Sequence, residues 1–351
     1  MLLTIFGAGA SYDSVDLDVV PRLSDEVLTG FRFRPPLANQ LFDERPEFVS
    51  AMNRHPQMST LIPRLRRASQ AASGKTVEAV LRDIQDEATG YPQRKSHLMA
   101  LEFYLSEIID LPVTDWIMAA GRATNYVELL DQIERTDPRP PLLFVTFNYD
   151  RMLESAISDV LMQKIGDDLD DYIHDNLTLI KPHGSVDWIQ LLPAMRSALP
   201  PGIKSVVEFA TYADLNGGEI VPRSYLGRHS ELWHPALAIP LDKGKTFVCP
   251  ENHLYYLRER LELVTRVLVI GWRATEQHFL DLLLQRLPKN RPLSLCIVDK
   301  NDGAIAARQN LENALGKVIT FRPVTIHSDG FSPFVRTAAI QDWLAQPLEK
   351  F

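Results

Sequence analysis

With 351 residues, 45% of them hydrophobic and 23% charged, the chain is long enough to bury a large core without disulfides. A formal net charge of −8 excludes a surface built mainly to neutralise phosphates, so no direct nucleic-acid partner is expected, and the short basic run Arg64, Arg66 and Arg67 reads as a solvated helix face. Two cysteines, Cys249 and Cys296, exclude a disulfide framework and a four-cysteine zinc site, and they fit a reducing compartment.

The first residues, MLLTIF, lack the basic segment of a signal peptide, and no apolar run approaches about 20 residues; neither a leader nor a membrane span is expected, and the chain reads as cytoplasmic. Residues 2–6 are an apolar run ending in Gly7, which predicts a buried parallel strand feeding a glycine-rich turn. From about 35 to 136 apolar residues recur at helical spacing: Val77, Val80, Leu81 and Ile84; Leu98, Leu101, Leu105 and Ile108; Val127, Leu130 and Ile133. This predicts a helical insertion interrupted at Pro56, Pro63, Pro92 and Pro112. After the Pro-rich break at 137–141, residues 142–146 predict a second buried strand, 151–161 a helix and 177–180 a third strand. The stretch 187–250 is rich in Pro and Gly, with weak periodicity, and predicts an irregular insertion with a few short strands. Alternation then returns: helix 254–264, strand 267–270, helix 276–287, strand 293–298, helix 304–315, strand 318–321 and a closing amphipathic helix over 333–344. Strands alternating with helices imply an α/β fold, a Rossmann-like parallel sheet with helices on both faces.

Several strand ends carry residues suited to chemistry. Gly7-Ala8-Gly9-Ala10-Ser11 lets the backbone approach a pyrophosphate with its N–H groups. The third small position of the ordinary dinucleotide fingerprint is Tyr12, which disfavours a plain dehydrogenase site, and a tight strand exit without ligand fits the same residues. Thr146-Phe147-Asn148-Tyr149-Asp150 follows the second strand, where open parallel sheets bind ligands. Asn148 offers a donor and an acceptor and Asp150 acceptors; helix capping is the alternative. Lys181-Pro182-His183-Gly184-Ser185 places a histidine on a turn, able to titrate near neutrality or to be simply structural. Gly271-Trp272 and Asp299 close two later strands, Gly271 permitting close approach and Asp299 suited to ribose hydroxyls. Ser73-Gly74-Lys75-Thr76 is not a P-loop, because its first glycine is Ser69 and no strand precedes it. Cys249 and His253 are a ligand pair without a second pair. The acidic run 167–171 reads as a solvated loop.

Taken in order, GAGAS after the first strand, T-x-N-x-D after the next, then H-G, then a late strand ending in Gly resemble the sirtuins. The chain looks like the divergent sirtuin-like NAD hydrolases of bacterial antiphage defence over residues 1–13, 142–190 and 265–300. The resemblance implies a single catalytic domain over 1–351, with the helical insertion at 35–136 and the irregular one at 187–250. It implies that Gly7, Ala8, Gly9, Ala10 and Ser11 cradle the NAD diphosphate. Asn148 would hold the nicotinamide ribose and order the attacking water, with Asp150 supporting that pocket. His183, followed by Gly184, would be the catalytic histidine. Gly271, Trp272 and Asp299 would fall on the adenosine half. Three departures set the subtype. Phe147 stands where the deacylases carry Gln. Two cysteines cannot supply their zinc module. Tyr12-Asp13-Ser14-Val15-Asp16-Leu17-Asp18 replaces their Asp-Phe-Arg triplet. The implied activity is therefore hydrolysis of NAD+ as substrate, with no metal. A transferase or deacylase, and a non-enzymatic NAD or ADP-ribose sensor, are the competing readings. A homo-oligomer, or a partner defence ATPase or nucleotide-sensing protein, is implied as the regulator.

Overall fold

The computed structural model describes residues 1–15, 33–70, 74–120, 123–192, 199, 201–209, 211, 218–227, 232–239 and 247–348. Parts of the Tyr12-to-Asp18 stretch, Ser73 and much of the 187–250 insertion lie outside these residues. The described strands are β1 (Leu2–Phe6), β2 (Leu142–Thr146), β3 (Ile173–His174), β4 (Leu177–Ile180), β5 (Gly184–Leu191), β6 (Ile220–Pro222), β7 (Trp233–Leu237), β8 (Arg266–Ile270), β9 (Leu293–Val298) and β10 (Phe321–His327). The chain divides into two compact units. One comprises Met1–Pro35, Val113–Pro182 and Cys249–Phe351; the other comprises Pro36–Pro112 and His183–Val248.

Every residue of β1, β2, β4 and β9 is buried. Strands with no wet face need cover on both sides, which flanking helices give to a parallel sheet. The first unit accordingly contains a seven-stranded sheet of order β10-β9-β8-β1-β2-β4-β3. All its pairings are parallel except the short β3 against β4. The fold class is thus α/β with a Rossmann-like, mostly parallel sheet flanked by helices. From β1 the chain goes to β2 and β4 on one side; it then returns to β8 on the other. The β1/β8 boundary is therefore the switch point, where loops at the carboxyl ends diverge and leave a crevice. Helix Asn125–Glu134 leads into β2 and begins where the Thr124 hydroxyl accepts the Val127 amide at 3.3 Å.

Two details at the carboxyl end differ from the sequence pattern. The last strand is β10, beginning where the apolar run 318–321 ends. It is an edge strand, half-exposed along its length, with an irregular register between Phe321 and Val324. That is where a strand tolerates a residue such as Pro323, which lacks an N–H. The expected single helix at 333–344 is two, Phe331–Arg336 and Ala339–Ala345, separated by Ala338 at φ +52°.

The second unit contains a three-stranded antiparallel sheet of order β6-β5-β7 and the part of the predicted helical insertion up to Pro112, while helix Asn125–Glu134 belongs to the first unit. Pro56 opens a short turn and Pro63 sits in the first turn of helix Ile62–Ser69, as expected of chain punctuation. Pro112 does not interrupt: it lies inside helix Lys95–Ala120. An interior proline costs about 3 kcal/mol. Burial of Ile108, Ile109, Val113 and Trp116 around it offsets that cost. The basic run is engaged locally. Arg64 meets Asp83 at 3.1 Å and Glu87 at 2.8 Å, and Arg66 meets Glu44 at 2.6 Å. Thr76 caps helix Val77–Gly90 by accepting from the Ala79 amide, and Lys75 pairs with Asp83 at 2.8 Å.

His253, on helix Glu251–Leu261 of the first unit, is fully buried, with Nε2 2.8 Å from the Leu169 carbonyl. A carbonyl only accepts, so Nε2 carries the proton of a neutral imidazole. Burial holds its pKa below the usual 6.5. The unfolded chain then takes up the proton first on acidification, so the stability His253 contributes is full above about 6.5 and is lost as pH falls below it. Burial lowers His55, His97 and His327 in the same sense. The urea midpoint is expected to drop between pH 7.5 and 5.5, and His253→Phe is expected to flatten that slope. An unchanged slope in the variant would remove His253 from the account.

Candidate active site

The turn after β1 and the turn after β8 meet backbone to backbone. Gly7 donates its N–H to the Ile270 carbonyl at 3.0 Å, Gly9 to Gly271 O at 3.3 Å, and Gly271 to Val298 O at 2.9 Å. A Cβ on Gly7 would stand 2.3 Å from Gly271 O; one on Gly271 would stand 2.4 Å from the Ala10 nitrogen. Gly271 also holds φ at +60°, the left-handed region that favours glycine. Two of the singled-out glycines, Gly7 and Gly271, are therefore required by the contact of the two turns themselves, and Gly9 is held close, its added Cβ standing 3.0 Å from Gly271 Cα. The Ala10 amide is engaged by Gly7 O at 2.9 Å. Beyond Gly7 the expected turn is already a short helix, Ala8–Asp13, in which Ala8 is exposed, while Ala10 and Ser11 are buried.

Asn148 lies just beyond β2, next to β1 in the sheet, and is 7% exposed. Its Nδ2 is 2.9 Å from Gly7 O, 2.9 Å from Ser11 Oγ and 3.1 Å from Tyr126 Oη. Because Gly7 O can only accept, the amide must turn its NH2 toward it, which fixes the orientation of the side chain. Ser11 Oγ and Tyr126 Oη are themselves 2.8 Å apart. The Asn148 backbone amide donates to Thr146 Oγ1 at 3.1 Å. The structure thus brings Gly7 and Ser11 of the first motif together with Asn148 of the second, at the carboxyl edge of the sheet beside the switch point. Burial pushes the Tyr126 phenol well above its usual range, with Asp150 adding to the shift, so Tyr126 stays a neutral partner.

Asp150 is buried, and its Oδ1 accepts from the Met152 amide at 3.0 Å, in the first turn of helix Met152–Val160. This is a turn bond from the residue before the N-cap Arg151, which itself makes no side-chain cap bond. Phe147 stacks on Trp272 at 5.4 Å and 11°, and both meet Phe279 edge to face. Trp272 is 3% exposed and donates Nε1–H to Glu276 at 2.6 Å. Asp299, past the end of β9, is half-buried; burial raises its carboxyl, while the Lys300 amide at 2.7 Å and the Arg273 charge pull it back. Tyr12, at the fingerprint's third small position, lies under the Arg34 guanidinium at 4.5 Å.

His183 and Gly184 belong to the second unit. His183 is 2% exposed and its carbonyl accepts from the Ala238 amide at 2.8 Å, joining the start of β5 to the end of β7. Gly184 holds φ at +81°, and a Cβ there would stand 2.0 Å from Ala236 O.

No protein-family model matches the chain, and no curated protein matches it. Solved structures do match it over nearly its whole length. A Sir2 homolog–NAD complex is 13% identical, covering 97% of this chain and 89% of that one, with a TM-score of 0.38. Sir2Tm bound to a propionylated peptide is 10% identical, covering 98% and 94%, with a TM-score of 0.40. An ADP-ribose complex of a Sir2 homologue mutant is 12% identical, covering 99% and 94%, with a TM-score of 0.39. A likeness this distant assigns neither activity nor substrate to this chain.

Among the described residues no group of three or more His, Cys, Asp or Glu side chains could hold a metal ion, and no helix is long and apolar enough to cross a membrane. Cys249 is buried, its thiol pushed up to about 12 by desolvation. Sequence reasoning missed Tyr126, which the apolar spacing of 127, 130 and 133 assigns only to helix packing. It also missed Asp13, whose Oδ2 accepts from the Phe331 and Ser332 amides at 2.8 and 3.1 Å, and which pairs with Lys300. Asn125 just before Tyr126 donates to Asp13 O at 2.9 Å, so one helix start serves both groups. A tyrosine next to a helix start in a segment leading to a strand is the only trace of this in the chain, and it is a weak one.

Proposed function

We propose that the chain is an NAD+ hydrolase that cleaves the nicotinamide–ribose bond to give nicotinamide and ADP-ribose. The observation that carries this reading is the fixed Asn148 amide. Its NH2 is consumed by Gly7 O, Ser11 Oγ and Tyr126 Oη, so its carbonyl oxygen is the end left to a ribose hydroxyl or a water. It stands at the carboxyl edge of a parallel sheet beside the switch point, where such folds bind nucleotides. In this reading the turn 7–11 lies along the diphosphate, Asp150 supports the ribose pocket, and Gly271, Trp272 and Asp299 bound the adenosine side. Cleavage develops oxocarbenium character at the anomeric carbon, as in glycoside hydrolysis. Nicotinamide departs neutral, so no strong acid is required. The residues must orient NAD+, stabilise the cation and deliver water. His183 is the proposed general base toward that water or a ribose hydroxyl.

A free NAD+ hydrolase would deplete its own cell, so activity is proposed to be held in check by self-association or by a partner. The motif order fits an effector of an antiphage defence system acting in the cytoplasm. Purified protein, alone and with the proteins encoded beside it, is to be incubated with NAD+ labelled in the adenosine moiety. Free labelled ADP-ribose is the expected product, and Asn148→Ala and His183→Ala are each expected to abolish it while keeping the fold. Label on protein would replace hydrolysis by transfer. Wild-type turnover in either variant would refute the assigned residue.

A further inference from the structure

Lys181 is fully buried, and its ammonium makes three contacts: Glu154 Oε1 at 2.6 Å, Asp150 O at 2.5 Å and Tyr149 O at 3.4 Å. A buried ion pair contributes little beyond what an apolar pair of the same volume would, so stability alone does not account for this lysine. Its three protons match its three acceptors. Two of those acceptors are carbonyls of the turn that follows Asn148 and precedes helix Met152–Val160. Lys181 itself sits immediately after β4, the strand paired with β2, so a side chain from one strand end reaches the turn at the neighbouring strand end.

We propose that Lys181 is a positioning residue for Asn148: its ammonium clamps the Tyr149 and Asp150 carbonyls and thereby sets the pose of the turn that presents the amide. Glu154 is the partner of the ammonium in the interior; burial raises its carboxyl, and the Lys181 charge beside it offsets part of that rise. The proposal rests on the NAD+ hydrolase reading for its catalytic consequence, though not for the clamp itself. The clamp explains why a lysine occupies a place from which it cannot touch solvent. It also gives a role to the first residue of the K-P-H-G motif, two positions before His183.

The full chain is to be compared with Lys181→Met, with the charge-free pair Lys181→Met/Glu154→Leu, and with Leu315→Ala. Leu315 is a buried residue on helix Asp302–Leu315, and its truncation serves as the control for lost stability, matched to the single variant Lys181→Met. The double variant is expected to melt close to the wild type, since neither charge is left uncompensated. It is nevertheless expected to lose about tenfold to a hundredfold in kcat, the usual effect of displacing a reacting geometry by an ångström. The KM for NAD+ is expected to stay within about threefold, because ground-state binding through the adenosine half is left in place. Amide exchange in the segment 147–152 is expected to quicken by about tenfold, with β1 and β9 unchanged. Wild-type kcat and exchange in the double variant would overturn the proposal, as would an equal loss of kcat in Leu315→Ala. Should the wild type itself not turn over NAD+, the functional reading fails separately, and exchange in 147–152 decides the clamp: quickened exchange upholds it, unchanged exchange overturns it.

Discussion

Gly271→Ala is expected to lower unfolding stability by about 3 kcal/mol, combining about 1–2 kcal/mol for a left-handed non-glycine residue with about 1–3 kcal/mol for forced movement of packed atoms. The added methyl would meet Ala10 N at 2.4 Å and Gly9 C at 2.7 Å, both backbone atoms that cannot rotate away. Gly74 supplies the comparison: it holds φ +68° and a methyl group added there would meet nothing within 4 Å, so Gly74→Ala pays only the backbone part. Gly9→Ala, whose Cβ would lie 3.0 Å from Gly271 Cα, is expected to fall between the two. Urea denaturation of the three variants checks the order. A Gly271→Ala cost equal to that of Gly74→Ala would mean the turns part easily, and the contact at the switch point would lose its structural meaning.

Asn148→Asp is expected to remove nicotinamide release by at least about a hundredfold, because a misplaced positioning group costs on that order. The substitution keeps the shape and removes every N–H. A carboxylate would then face the Gly7 carbonyl at the distance where Asn148 donates, 2.9 Å, and offer only acceptors to it. About 1–3 kcal/mol of stability is expected to go with it, from the unpaired carbonyl and the desolvated charge. Tyr126→Phe deletes one acceptor of three and leaves Gly7 O and Ser11 Oγ in place, so its loss of turnover should be the smaller. A rate in Asn148→Asp within about tenfold of wild type would show that the amide's donor face does not set the geometry.

The sheet was legible because burial on both faces leaves a plain mark: strands of five or six residues with four or five of them apolar, bounded by Gly, Pro or Asp, as at β1, β2, β8 and β9. β10 was not, because an edge strand needs only one good face, and Arg322-Pro323 at its start looks like a break. The split at Ala338 leaves no trace at all, since alanine favours the helix that its backbone there leaves. At the site, Gly7, Ser11 and Asn148 were readable as residues at strand ends. Tyr126 and Lys181 were not, since the role of Lys181 comes from the parallel pairing of β4 with β2 and that of Tyr126 from a helix set against Ser11 and Asn148, not from neighbours in the chain. Gly271 was read as room for a nucleotide, and the crowding that demands glycine there comes from residues 7–10.

The position of β1 between β2 and β8 also sets a timetable. During synthesis β1 emerges first, yet one of its edges is left open until residues 266–270 have been made. At ribosomal rates of about 5–20 residues per second this is a wait on the order of tens of seconds. The meeting of the 7–11 turn with Gly271 waits for the same residues. A nascent chain therefore carries its amide and its glycine turn without a finished crevice until β8 has been made, and any activity seated there cannot start earlier.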